Sequence, residues 1–107
     1  MYDIEVSIIQ EYIDEYLFDP SYDWPEYEFN TRCYERWAAN EILDRILRES
    51  MLFPENTYIS PRKTLYRVIE DFMNEMDYQA RFTDNKKHHL IFSTAKDTAR
   101  DIGLLFV

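Results

Sequence analysis

The sequence predicts an all-α protein: a compact four-helix bundle with a long irregular connection between helices one and two. Three observations point there. Apolar residues recur at i, i+3, i+4 and i+7 in separate stretches, the spacing of one helix face. The 107 residues contain a single glycine, Gly103, whereas tight hairpin turns ordinarily use glycine for its positive φ. Hydrophobic content is 46%, with 17% aromatic, which favours a packed core over a disordered chain. This length fits one domain, spanning 1–107, with helices expected at about 3–18, 31–50, 61–80 and 85–106.

The first helix follows from Tyr2, Val6, Ile9, Tyr12, Ile13, Tyr16 and Leu17 on one face, with Asp3, Ser7, Glu11, Asp14 and Glu15 opposite. Glu15 and Asp19 near its end oppose the helix dipole. Asp19-Pro20 ends it, because proline restricts the residue before it and cannot continue the ladder. Residues 19–29, with Pro20 and Pro25, read as an irregular arm whose aromatic rings pack on the body.

The second helix is expected from Thr31 to Ser50, with Asn30 or Thr31 as N-cap. Ile42, Leu43, Ile46 and Leu47 make one apolar stripe, and Cys33, Tyr34 and Trp37 fall roughly on the other side. A helix apolar on two sides is either central or covers a partner with its second side. The arm around Trp24 and Tyr27 is the expected cover for Trp37. Ser60-Pro61 starts the third helix, whose stripe is Leu65, Val68, Ile69, Phe72, Met73, Met76 and Ala80. The fourth, capped by Asp84, carries His88, Ile91, Phe92, Ala95, Ala99, Ile102, Leu105 and Phe106. His88–Phe92 also fits a short strand, but that strand would lack a strong partner.

The residues exclude more chemistry than they nominate. Asp19, Ser21 and Asp23 resemble the start of a calcium loop, yet Trp24 and Asn30 stand where glycine and glutamate are needed. His88 and His89 are adjacent and diverge on either a helix or a strand. Cys33 is the sole cysteine, which forbids an internal disulfide and leaves a thiol nucleophile without a neighbouring base. Neighbouring acid pairs such as Asp14/Glu15 and Glu70/Asp71 do not face each other across a cleft, as a hydrolytic pair must. No catalytic residue, metal or cofactor is therefore expected. The N-terminus shows no basic region leading into an apolar run, and the apolar run Ile102–Val107 is far too short to span a bilayer. A cytoplasmic protein is expected.

Charge supplies the one functional pointer. The net charge is −9. Residues 1–31 hold nine acidic residues, eight aromatics and no Lys or Arg, and from Arg32 onward 12 acids balance 12 bases. Such a charge repels phosphates, so direct nucleic-acid and anionic-membrane binding are disfavoured. Carboxylates among aromatic rings suit docking on a basic protein surface. The candidate residues are Glu11, Asp14, Glu15, Asp19, Asp23, Trp24, Glu26, Tyr27 and Glu28. The alternatives are a nucleic-acid mimic that blocks a DNA-handling enzyme, and a homodimer in which this third meets the basic segment 81–100. The bland reading is that the rings are core and the acids only solubilise.

The runs Tyr34-Glu35-Arg36-Trp37-Ala38-Ala39-Asn40-Glu41-Ile42-Leu43, Ile69-Glu70-Asp71-Phe72, and Phe92 through Asp97-Thr98-Ala99-Arg100-Asp101-Ile102 resemble small uncharacterised proteins of bacterial mobile elements and phages. The likeness covers roughly 30–106. It implies a bacterial or phage setting inside the cell and no particular activity.

Overall fold

The computed structural model describes residues 3–17, 25–52 and 61–106, and every regular element among them is helical. Helix α1 spans Asp3–Tyr12 and widens into a π-helical segment, Ile13–Leu17. Helices α2 (Glu26–Leu52), α3 (Pro61–Ala80) and α4 (Lys86–Leu104) follow. The all-α bundle read from the sequence is the observed fold, and residues 88–92 are helix.

In the first element, Ile9, Ile13 and Leu17 are buried at every fourth position. On an α-helix each such step advances the stripe by about 40°. Wider winding after Tyr12 turns it back, so all three side chains stay on the core.

Helix α2 starts five residues earlier than expected. The Pro25 carbonyl accepts from the Phe29 amide at 2.9 Å, so Asn30 and Thr31 lie inside the helix rather than capping it. Proline blocks a helix interior but suits its first turn, where an N–H would have no partner anyway. Glu26 and Glu28 in that turn complement the positive end of the helix dipole. Of the irregular arm expected at 19–29, residues 26–29 are helical, and residues 18–24 lie outside the described set. Helix α4 is capped by Asn85 rather than Asp84: its side-chain oxygen accepts from the Lys87 amide at 2.9 Å.

One cluster of buried side chains joins the elements. It takes Ile9, Ile13 and Leu17 from the first, Ala38, Ala39, Ile42, Leu43 and Ile46 from α2, and Leu65, Val68, Ile69, Phe72 and Met76 from α3. Ala95, Ala99, Ile102 and Phe106 complete it. Helix α4 packs extensively on both α3 and α2. The four alanines, all 0% exposed, let α2 and α4 come close together. Thr98 is buried beside them, and its hydroxyl donates to the Thr94 carbonyl at 2.9 Å, so it brings no unsatisfied donor inside.

Three expected core positions are surface. Leu47 of α2 and Leu105 beyond α4 are exposed, as is His88. Leu47 falls about 100° from Ile46 around the helix, outside the arc that its neighbours cover. In α4 burial begins only at Thr94, so the stripe is shorter than the periodicity suggests.

Two substitutions of opposite sign test this packing. A Cβ added at Gly103 would meet only Ile69 Cδ1, at an ordinary 3.8 Å. Gly103→Ala should therefore raise unfolding stability in urea by roughly 0.4–1 kcal/mol. Ala95→Leu should lower it by about 1–3 kcal/mol, because the α2–α4 contact has no room for a larger side chain.

Candidate interaction surface

The α1–π element packs on α2 and turns its polar side outward. Glu11, Asp14 and Glu15 are exposed there, with Gln10 donating to Asp14 at 3.1 Å. Glu26 and Glu28 are exposed on the first turn of α2. None of these five carboxylates forms an ion pair among the described residues. Tyr27 lies in the same turn, its side chain outside the described set; Asp19, Asp23 and Trp24 also lie outside it.

Tyr12 joins the two acidic patches. It stands beside the Arg32–Glu35 ion pair, closed at 2.8 Å, and within electrostatic reach of Asp101 on α4. Burial raises its phenol above the ordinary value of 10.0. The Asp101 and Glu35 carboxylates raise it further, and Arg32 offsets part of the rise. Next to this cluster a shallow groove of about 220 Å³ is lined by Glu28, Thr31, Arg32 and Glu35. Five of the nine sequence-nominated residues are thus exposed around one junction of α1 with α2.

The sequence points to a second apolar side of α2 at Cys33, Tyr34 and Trp37, covered by the arm, but does not extend it to Phe29 and Leu47. Phe29, Cys33, Trp37 and Leu47 are all exposed along it. Phe29, Cys33 and Trp37 are four residues apart, so each sits one turn from the next. Cys33 and Trp37 carry the signal in the sequence, whereas Phe29 reads as part of the arm and Leu47 as core. Trp37 is not sealed from solvent; one edge packs on the buried Phe72 of α3, with ring centres 6.1 Å apart.

A larger groove of about 410 Å³ runs between α2 and α3, lined by Glu41, Arg45, Arg48, Glu49, Val68, Asp71 and Glu75. Its charges are largely used on each other. Arg45 pairs with Glu75 at 2.7 Å and Glu41 at 3.5 Å, Arg48 reaches Glu41 at 3.7 Å, and Arg67 pairs with Glu49. The Arg45 guanidinium also lies 5.2 Å from the centre of the Phe72 ring. This network ties α2 to α3 and presents no nucleophile. Among the described residues no three His, Cys, Asp or Glu side chains are grouped to hold a metal, and no helix is long and apolar enough to cross a membrane. His88 and His89 are both exposed at the start of α4.

Comparison with protein-family models, curated proteins and solved structures found no match.

The Tyr12 environment has a signature in pH. Its folded value lies above the unfolded one, so its contribution to stability is intact below pH 10 and lost as pH climbs through the folded value. Tyr12→Phe should lose stability less steeply than the parent above pH 10, measured by thermal unfolding across that range. Equal slopes would show that Tyr12 has no part in the alkaline transition.

Proposed function

We propose that this protein is a non-catalytic interaction module that docks on a basic protein surface through its acidic first third. One observation carries the reading: five exposed carboxylates, none in an ion pair among the described residues, surround the α1–α2 junction, beside a helix face that shows Phe29, Cys33 and Trp37 to solvent. Carboxylates of one sign speed encounter with a positive surface, and aromatic rings supply contact area at low entropic cost. Scattered exposed apolar residues are ordinary on any protein. A stripe of them at helical spacing, next to charge of one sign, has the make-up of an interface with an apolar centre and a polar rim.

The contact would be rich in charge, so salt should govern it. The first place to seek the partner is among basic proteins of a bacterial host, the setting that the resemblance to mobile-element proteins implies. The chain should capture a basic protein from lysate at about 0.1 M salt and release it near 1 M, where the screening length has fallen to about 3 Å. Replacing Asp14 with Asn and Glu15, Glu26 and Glu28 with Gln should abolish capture and leave helicity intact. Undiminished recovery by that variant would reject this surface.

A further inference from the structure

The α3–α4 hairpin ends in a tip unlike the rest of the molecule. From Asp77 to Ser93 not one residue is buried. Phe82 is 72% exposed and Tyr78 61%, their rings in contact with centres 4.8 Å apart. Leu90, on the first turns of α4, is exposed as well. Around them stand Arg81, Lys86 and Lys87, all exposed. Among the described residues Arg32, Arg45, Arg48, Arg67, Lys96 and Arg100 form ion pairs, whereas these three form none.

The exposed carboxylates at the α1–α2 junction, Glu11, Asp14, Glu15, Glu26 and Glu28, are too far away to neutralise this tip. Tyr12 of α1 lies within electrostatic reach of Asp101 on α4, so Asp101 marks the level of the α1–α2 junction along that helix. Asp101 lies 15 residues beyond Lys86 on the same helix, about 22 Å along its axis at 1.5 Å per residue. That exceeds two screening lengths at physiological salt, about 8 Å each. The cations and carboxylates that form no ion pair among the described residues therefore sit toward opposite ends of α4, each with exposed aromatic rings beside them.

We propose that the hairpin tip docks on the acidic face of a second copy of this chain. The proposal rests on the acidic face being a docking surface and names a partner for it. Lys86, Lys87 and Arg81 would face Glu15, Glu26 and Glu28 across the contact, with Phe82 and Tyr78 laid against the ring-bearing face of α2. A nucleic acid or an anionic bilayer would offer negative charge to the tip too, but the net −9 of the whole chain repels both. A second copy brings its negative charge already gathered at one end. Each copy keeps its own tip and its own acidic face, so the contact joins unlike surfaces.

Sedimentation of the full chain tests this with two variants. One carries Phe82→Ser, Lys86→Glu and Lys87→Glu at the tip. The other carries Asp14→Asn, Glu15→Gln, Glu26→Gln and Glu28→Gln on the face. All seven positions are exposed, and Glu at the start of α4 suits the helix dipole, so circular dichroism should match the parent. Should the tip variant lose helicity, Lys86→Ala with Lys87→Ala takes its place. The parent should sediment above monomer mass at about 0.1 M salt, increasingly with concentration, and as monomer at about 1 M. Each variant alone should stay monomeric, and an equimolar mixture should pair one to one, because one intact contact remains. A parent that is monomeric at low salt overturns the proposal; so does a tip variant that associates like the parent, or a mixture that fails to pair. A monomeric parent that still captures a basic protein through its face would leave the docking function standing and remove only the second copy as partner.

Discussion

The close approach of α2 and α4 is the constraint on which the rest of this structure depends. It is made possible by Ala38 and Ala39 on one helix and Ala95 and Ala99 on the other, all fully buried. Larger side chains would hold the two axes apart. Phe72 and Met76 of α3 close one side of the core, and Ile9, Ile13 and Leu17 come from the first element. Helix α2 is thus the element that all the others touch, although only part of its circumference is covered. The part left over is the stripe of Phe29, Cys33, Trp37 and Leu47.

The same packing decides where charge is displayed. Burial along α4 begins at Thr94, and from Asp77 to Ser93 the hairpin end holds no buried residue. Ion pairs then consume most bases along the body: Arg45 and Arg48 against Glu41 and Glu75, Arg67 against Glu49, Lys96 against Asp77. Exposed pairs of this kind contribute little individually, about 0–1 kcal/mol. Their larger effect is on what remains unneutralised: carboxylates at the α1–α2 junction and cations at the hairpin tip.

Most of the fold was legible because helical periodicity and proline placement act locally. Ser60-Pro61 located the start of α3, and the stripe Leu65 to Met76 named its buried side. What escaped depended on context. Pro25 reads as a breaker from sequence, yet at a helix entrance its missing N–H costs nothing, and α2 begins one residue later. Leu47 and Leu105 fit the apolar spacing but fall where no neighbour covers them, which periodicity cannot register. The acidic candidates were legible as charge on surface positions, since carboxylates without partners stay in water. The rings of Tyr78 and Phe82 had a signal too. Tyr78 falls on the side of α3 opposite the Leu65–Met76 stripe, and Phe82 lies in the turn beyond Ala80, so the helical stripe claims neither.

The placement of Cys33 has a practical consequence. It is the chain's sole thiol, it is exposed, and it sits one helical turn from both Phe29 and Trp37. A fluorophore or spin label attached there would stand in the middle of the uncovered α2 stripe without any engineered residue. Its spectrum would register whatever molecule comes to rest on that stripe, in the unaltered sequence.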